Sequence, residues 1–274
     1  MSSQFGKHDL SEIENPHQTA LILLSHVLGK PQTWVIAHPE AHLTPQQEQL
    51  LSQLLSRLKN GEPLPYLIGR QEFYGLDFIV SPDVLIPRPE TELLVDKALE
   101  WLRTHPQAGK ALDIGTGSGC IPISLLMRHV DLKALGVDIS EAALSVCAKN
   151  RAVYQLETRL DLRQSDLFEK VSEKFDLITA NLPYIPSKKL AGLTELRFEP
   201  SPALDGGEDG LEVIRRMLEE SAAFIKKPGL ILLEIESSLG TKTLELSKNA
   251  FPDASLQLYQ DLAGLDRLVS VEIN

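Results

Sequence analysis

The segment from Asp113 to Gly119, which reads DIGTGSG, has the residue types and spacing to bind a cofactor. It follows an apolar segment that favours a strand and precedes a segment that favours a helix. Three alternate glycines permit positive φ angles and a close approach of the backbone to a ligand, and the start of a helix offers unpaired N–H groups. These features predict a nucleotide-type cofactor site at the carboxyl end of a parallel strand.

The residues around this loop favour S-adenosyl-L-methionine over a dinucleotide. The dinucleotide fingerprint requires glycine or alanine at position 120, where this chain has Cys120. Asp138 ends the next predicted strand, about twenty residues later, where a carboxylate can accept hydrogen bonds from both ribose hydroxyls. Asp166 and Leu167 follow a third predicted strand, where they can meet an adenine ring. A tight turn flanked by surface acids is the competing interpretation.

The loop after the fourth predicted strand has residues suited to methyl transfer. It reads NLPY from Asn181 to Tyr184, and Pro183 keeps Leu182 out of the α region. The Asn181 side-chain oxygen and the carbonyl of residue 182 can each accept one N–H of a planar nitrogen, and Tyr184 offers a flat wall. Both hydrogen bonds strengthen as positive charge develops on that nitrogen. Because a sulfonium methyl donor needs neither a metal nor a strong base, this segment predicts N-methylation of a partner macromolecule.

Motifs of several other enzyme classes do not occur in the sequence. The seven histidines lack metal-ligand spacing, so we expect no metal, and there is neither a nucleophile elbow nor a Walker lysine. Two alternatives stay open beside N-methylation of a protein. One is amino-group methylation of adenine or guanine in a nucleic acid. The other is a nicotinamide-dependent oxidoreductase or a catalytically silent Rossmann module, against which Cys120 and the Asn181 loop argue.

The composition is that of a globular protein with an acidic surface. The 274 residues are 43% hydrophobic and 24% charged, and the net charge is −11. This charge disfavours a nucleic-acid substrate, because an acidic surface repels phosphates. The two cysteines make no disulfide framework, no apolar run reaches membrane-spanning length, and residues 1–10 lack a secretory core. We therefore expect a cytoplasmic protein without a membrane partner, and we expect a monomer because nothing demands an oligomer.

Apolar periodicity predicts a helical part followed by an alternating part. Of two amphipathic helices in the N-terminal part, the first ends at Gly29, and the second begins at Thr44 with a capping box that Gln47 completes. A short hairpin around Gly75 and a helix through Leu102 follow.

From residue 110 onward, strands and helices alternate, which predicts a mostly parallel sheet covered on both faces and closed by an antiparallel pair. The expected strands are Ala111–Ile114, Lys133–Val137, Asp161–Gln164, Asp176–Ala180, Leu230–Ile235, Ser255–Tyr259 and Arg267–Ile273. The expected helices are Pro122–His129, Glu141–Tyr154, Leu211–Ile225 and Leu239–Ala250. We place a helical N-terminal domain at 1–72, a hairpin linker at 73–90 and the catalytic domain at 91–274.

Taken together, these residues resemble the HemK/PrmC family, the peptide chain release factor glutamine N5-methyltransferases, over almost the whole chain. An Asn-Pro-Pro-Tyr type of tetrapeptide alone is shared with adenine-N6 and guanine-N2 methyltransferases. The segments Pro87–Glu92 and Arg197–Pro200 are more selective for the release-factor branch. The resemblance is carried by Gly61–Gly69, Glu72–Gly75 and Leu85–Glu92, by the glycine loop, by the Asn181 loop, and by Arg197–Pro200 with residues 203–204 and 206–207.

The resemblance implies an α/β fold, in which a seven-stranded Rossmann-like class I methyltransferase domain follows a small helical N-terminal domain that helps hold the release factor. It implies that S-adenosyl-L-methionine is the cofactor and that the substrate is the glutamine of the Gly-Gly-Gln loop of release factors. The implied cofactor-contacting residues are Gly115, Thr116, Gly117, Ser118, Gly119, Asp138, Asp166, Leu167 and Asn181. The implied catalytic and substrate-contacting residues are Asn181, Leu182, Pro183 and Tyr184. The family usually has proline at position 182, and leucine leaves φ free there.

Overall fold

The computed structural model of the protein describes residues 15–274 and divides into two compact units between Gly69 and Arg70. Residues 1–14 lie outside the described residues. The predicted start of the N-terminal domain and the expected absence of a secretory segment both fall in this range. Among residues 15–274, no helix is long and apolar enough to cross a membrane.

From residue 15 onward, the N-terminal unit contains four helices: α1 (Pro16–Leu28), α2 (Gln32–Ala37), α3 (Pro45–Lys59) and α4 (Leu64–Ile68). Helix α1 ends where Gly29 adopts a φ of 62°, and α3 begins with the expected capping box between Thr44 and Gln47. Buried leucines of α1 and α3 form the core of this unit. Helices α2 and α4 were not predicted, because one or two turns are too short to display an apolar period.

A two-stranded antiparallel hairpin opens the second unit, with β1 at Arg70–Phe73 and β2 at Leu76–Ile79. Its two-residue turn has positive φ at both Tyr74 and Gly75, 54° and 73°, as a type I′ turn requires. We predicted that the hairpin segment starts at residue 73. It starts at Arg70 instead, because this turn pairs the four residues before it with the four residues after it. Phe73 and Phe78 are buried in the core that they share with the following helix.

The rest of the second unit alternates helices with strands. The helices are α5 (Glu92–Thr104), α6 (Cys120–Arg128), α7 (Glu141–Val153), α8 (Ser187–Leu190), α9 (Glu212–Ser221) and α10 (Gly240–Ala250). The strands are β3 (Lys110–Ile114), β4 (Lys133–Asp138), β5 (Leu160–Gln164), β6 (Phe175–Ala180), β7 (Ile225–Glu234), β8 (Ser255–Gln260) and β9 (Asp266–Ile273).

These strands form one seven-stranded sheet in the order β5-β4-β3-β6-β7-β9-β8. The first five are mutually parallel, and β9 runs antiparallel to both of its neighbours. Alternate residues of a strand contribute to two separate cores, so that Leu177 belongs to one and Ile178 to the other. The predicted mostly parallel sheet with a closing antiparallel pair is confirmed.

The order of the strands places a switch point beside β3. The chain continues from β3 to β4 and β5 on one side and then crosses to β6 on the other side. Ile114 pairs with Ala180, so Gly115 and Asn181 are the first residues beyond the carboxyl ends of two neighbouring strands. A crevice opens at such a point, and ligands of open α/β sheets bind there.

One predicted helix is shorter than expected. The sequence favoured a helix over Leu211–Ile225, but α9 ends at Ser221 and Ile225 begins β7. There Ile225 pairs with Phe175 of β6, whose N–H donates to the Phe224 carbonyl at 2.8 Å. Local periodicity cannot reveal this pairing, because the partner strand lies far away in the sequence.

Candidate active site

The glycine loop after β3 has the backbone conformation that its composition predicts. Gly115, Gly117 and Gly119 have φ values of 71°, 53° and 80°, a region that side chains disfavour. The N–H groups of residues 115 and 116 donate to the Val137 carbonyl at 2.9 and 3.0 Å, which ties the loop to β4. A Cβ at position 119 would lie 2.5 Å from the Cys147 sulfur. Glycine is therefore required there for both conformation and packing.

Asp138 ends β4 beside this loop. Its Oδ2 accepts the Gly117 N–H and its Oδ1 accepts the Ser140 N–H, both at 2.9 Å. Partial burial raises the pKa of the Asp138 carboxyl, and these backbone donors oppose the rise. Each carboxylate oxygen keeps a second lone pair, so Asp138 can accept hydrogen bonds from a ligand while it holds the loop.

The segment after β5 forms another wall. The Ser165 N–H donates to the Asp138 carbonyl at 3.0 Å, and Leu167 adopts a φ of 45° with its side chain buried. The Asp166 Oδ2 accepts a hydrogen bond from Arg216 of α9 at 3.0 Å. Arg216 was not predicted to be a site residue, because nothing in the sequence of α9 indicates which loop the helix faces.

The Asn181 loop lies directly against the glycine loop. A Cβ at Gly115 would lie 3.6 Å from the Asn181 carbonyl oxygen and 3.3 Å from the Leu182 side chain, and Leu182 is buried. The Asn181 Nδ2 donates a hydrogen bond to the Thr91 Oγ1 at 3.2 Å. That bond occupies the donor end of the amide. Burial raises the pKa of the Tyr184 hydroxyl above its ordinary range, and the Glu234 carboxyl adds to the rise.

A cavity of about 280 Å³ lies between these segments. Gly119 is the N-cap of α6 and does not line this cavity, and Tyr184 lines an adjoining cavity of about 350 Å³ together with Asn181 and Arg88. The structure thus brings the remaining predicted residues to one site, while the role of each one stays a prediction. Those lining the first cavity are Gly115, Thr116, Gly117, Ser118, Asp138, Asp166, Leu167, Asn181, Leu182 and Pro183.

The two most family-selective segments meet beside this cavity. The Arg88 guanidinium pairs with the buried carboxyl of Glu199, whose Oε2 also accepts the Ile86 N–H at 3.2 Å. Arg88 lines both cavities. Both segments were identified by their resemblance to the family, but the contact between them was not predicted.

Charged groups of both signs line the first cavity. Its lining carboxylates are Asp83, Asp138, Asp166 and Asp205, and its lining guanidiniums are Arg88 and Arg216. Each of the two arginines pairs with a carboxylate, which leaves the site better suited to a cationic ligand than to a pyrophosphate. In the part of the chain that the structure describes, no group of three or more His, Cys, Asp or Glu side chains could hold a metal ion.

Comparisons with known proteins agree on both parts of the chain. Residues 3–69 match the family described as the PrmC N-terminal domain, and residues 90–197 match the methyltransferase small domain. The chain is 36% identical to the release factor glutamine methyltransferase of Bacillus cereus, over 92% of this chain and 91% of that protein. It is 38% identical to that of Moorella thermoacetica, over 93% of this chain and 90% of that protein.

Solved structures share the fold at low sequence identity. The N-terminal domain of human METTL16, crystallised in complex with SAH, superposes with a TM-score of 0.53 at 16% identity, covering 73% of this chain and 77% of that one. This likeness concerns the fold alone. With the seven-stranded sheet and the PrmC N-terminal match, it confirms the predicted class I methyltransferase fold.

Proposed function

This chain belongs to the family of release factor glutamine methyltransferases, and we propose that it transfers a methyl group from S-adenosyl-L-methionine to a glutamine of peptide chain release factors. The acceptor is the N5 amide nitrogen in the Gly-Gly-Gln loop, and the reaction takes place in the cytoplasm, where release factors work. Family membership favours this reaction over amino-group methylation of nucleic acids and over nicotinamide chemistry. The observation that carries the proposal is the position of Asn181 beside the glycine loop.

The cavity fits the cofactor by the chemistry of its lining. Asp138 offers acceptor positions for ribose hydroxyls, and Ile139, which is 57% exposed, adds an apolar wall. In the glycine loop, Gly115, Gly117 and Ser118 line the same cavity, where the backbone can approach a ligand closely. When bound there, S-adenosyl-L-methionine would supply an electrophilic methyl group on a sulfonium.

The residues of the Asn181 loop would hold and activate the amide. The Asn181 Oδ1 accepts one N–H of the substrate amide, and the carbonyl of Leu182 accepts the other. An amide nitrogen is a weak nucleophile because its lone pair is delocalised, so alignment with the methyl group supplies much of the rate, about 7 to 11 kcal/mol for well-oriented reactants. Both acceptors bind more strongly as positive charge develops on nitrogen, and the nitrogen becomes neutral again when it loses one of its two protons to solvent.

Two further assignments follow from this proposal. The helical N-terminal domain, predicted at 1–72, recognises the release factor, and the catalytic domain, predicted at 91–274 after the 73–90 linker, carries out the transfer. The match of residues 3–69 to the PrmC N-terminal domain supports the first assignment. The glycine loop and the Asn181 loop, which both lie in the second unit, support the other.

The decisive experiment incubates the purified protein with a release factor and S-adenosyl-L-methionine and analyses the Gly-Gly-Gln peptide by mass spectrometry. We expect one added methyl group on the glutamine. A release factor with glutamic acid in place of that glutamine should stay unmodified, and so should a structured RNA offered under the same conditions. Methylated RNA with an unmodified release factor would overturn the proposal.

A further inference from the structure

Glu234 is a buried carboxyl group at the carboxyl end of a central strand. It is the last residue of β7 and follows Leu233, which pairs with Ala180 of β6. The next residue after Ala180 is Asn181, so Glu234 and Asn181 continue the two strands side by side. Only 2% of Glu234 is exposed. Burying a carboxyl group is costly unless neighbouring groups use it.

The neighbours of Glu234 connect it to the proposed acceptor. Burial raises the pKa of the Glu234 carboxyl to about 7, and hydrogen bonding by the Thr91 and Asn181 side chains opposes this rise. Thr91 is 2% exposed, and its Oγ1 accepts the hydrogen bond from Asn181 Nδ2. Among the described residues, nothing donates to Glu234 Oε2 in ordinary hydrogen-bond geometry. The three side chains therefore form one buried polar cluster that borders the cavity only through Thr91 and Asn181.

The donors and acceptors of this cluster allow a chain of hydrogen bonds that runs from Asn181 to Thr91 and from Thr91 to Glu234. An ionised carboxylate only accepts hydrogen bonds, and a protonated one keeps an acceptor oxygen. The Thr91 hydroxyl can therefore donate its proton to Glu234, which leaves the Thr91 Oγ1 as an acceptor for the Asn181 Nδ2. An asparagine amide has one donor end and one acceptor end, so the Oδ1 of Asn181 is the end left for the substrate. In the opposite orientation, an NH₂ group would face the N–H of the substrate amide.

We propose that Thr91 and Glu234 are positioning residues that fix the orientation of the Asn181 amide, so that its oxygen faces the nitrogen to be methylated. The proposal rests on the proposed function, because it assigns Asn181 as the acceptor of a substrate N–H. It assigns to Thr91, the threonine of the Pro87–Glu92 segment, a role that neither the residue type nor the burial of its side chain indicates. Neither Thr91 nor Glu234 touches the reacting atoms in this mechanism.

The first test compares two substitutions at position 91 that differ in the hydroxyl group. Thr91→Val keeps the shape and removes the hydroxyl, whereas Thr91→Ser keeps the hydroxyl and removes a methyl group. We expect Thr91→Val to lower kcat roughly 10- to 100-fold, a smaller loss than removal of a transition-state contact itself. KM for the release factor and the Kd of S-adenosyl-L-methionine should stay near wild type. Thr91→Ser should retain most of kcat.

The second test asks whether Thr91 acts through Asn181. In an Asn181→Ala background, Thr91→Val should cause no further loss of kcat, because the group that it orients is gone. Additive losses would overturn the proposal, as would a Thr91→Val enzyme with wild-type kcat or a Thr91→Ser enzyme as slow as Thr91→Val. Glu234→Gln provides an independent variant, since its amide can donate to Thr91 and reverse the chain of hydrogen bonds. It should lower kcat without changing cofactor affinity.

A third readout needs no turnover. In the ¹⁵N-labelled protein, the side-chain NH₂ signals that disappear in Asn181→Ala report the Nδ2 protons directly. We expect slow solvent exchange of these protons in wild type and in Thr91→Ser, and fast exchange in Thr91→Val. Equal exchange in all three would refute the orienting role. If wild type left release factors unmodified, the proposed function would fail, and this measurement would still decide whether Thr91 holds the Asn181 amide.

Discussion

Asn181 lies where β6 ends at the switch point of the sheet, with its donor end tied to Thr91 at 3.2 Å. This geometry leaves one strong acceptor for a substrate N–H. Replacing Asn181 with alanine should lower kcat roughly 100- to 1000-fold, the scale of losing one contact that strengthens in the transition state. The Kd of S-adenosyl-L-methionine, measured by calorimetry, should change little. Substantial turnover by Asn181→Ala would show that another group accepts the hydrogen bond from that N–H.

Asp138 holds the glycine loop and offers the remaining lone pairs of its carboxylate to a ligand. Asp138→Ala should weaken cofactor binding by about 1 to 3 kcal/mol, the range for a lost hydrogen bond to a charged group. Calorimetric titration with S-adenosyl-L-methionine measures this difference. Asp138→Asn is the matched control, because it keeps one acceptor oxygen and should bind with intermediate affinity. Unchanged binding by the alanine variant would assign the ribose to another residue.

Leu182 occupies the position where the family usually has proline. Its backbone N–H makes no hydrogen bond among the described residues, so proline would remove no bond there. We expect Leu182→Pro to keep most of the activity. Because the leucine side chain is 4% exposed, the same change should lower the free energy of unfolding by roughly 1 to 3 kcal/mol through lost packing. A large loss of kcat with cofactor binding intact would contradict this prediction.

At the scale of elements, the loop before α5 and the loop after α8 are joined by the pair of Arg88 and Glu199. Glu199 has 2% of its side chain exposed, whereas Arg88 has 37% exposed. Removing the arginine would leave a buried carboxylate with the Ile86 N–H as its remaining donor. The pair therefore fixes two walls of the cavity with respect to each other.

This pair yields a prediction about stability. Arg88→Met should lower the free energy of unfolding by roughly 1 to 3 kcal/mol, because it leaves a buried carboxylate short of hydrogen bonds. Adding Glu199→Gln should restore part of the loss, since it removes the buried charge. Urea denaturation of the single and double variants measures both changes. A double variant that is no more stable than Arg88→Met would contradict this account of the pair.

At the scale of the whole molecule, two buried acids make stability depend on pH. Burial raises the pKa of Asp113 from 3.8 to about 7 and that of Glu234 from 4.5 to about 7. At pH values between the ordinary pKa and the raised pKa of these two groups, the folded state binds more protons than the unfolded state. The free energy of unfolding therefore falls as pH rises through this range. Salt bridges act elsewhere: Arg163 lowers the pKa of Glu173 to about 2, and that contribution is lost only in stronger acid.

We therefore expect the free energy of unfolding of the cofactor-free protein to decrease between pH 5 and pH 8. Asp113→Asn should flatten this decrease, because the asparagine carries no charge and its oxygen still accepts from Thr179, as the Asp113 Oδ1 does at 2.7 Å. Urea denaturation at several pH values tests both statements. Stability that rises steadily from pH 5 to pH 8 would show that other groups dominate.

Features that depend on residues close together in the chain could be predicted from the sequence. The glycine loop, the capping box at Thr44 and most strands were predicted correctly, because φ preferences, caps and apolar periods act over a few residues. The family was predicted correctly as well, from short segments such as Pro87–Glu92 and the Asn181 loop. The candidate site residues of the glycine and Asn181 loops were also inferred from local segments, and their roles stay predictions.

The contacts between distant segments could be read only from the tertiary structure. Thr91 and Asn181 are separated by 90 positions, and Arg88 and Glu199 by 111, so no local pattern links either pair. No local feature distinguishes Glu234 from other acids at strand ends, and only the pairing of β6 with β7 places it beside Asn181. The start of β7 at Ile225 was missed for the same reason. Strand order and register are set by long-range packing and hydrogen bonding, which residue types and spacing along one strand do not encode.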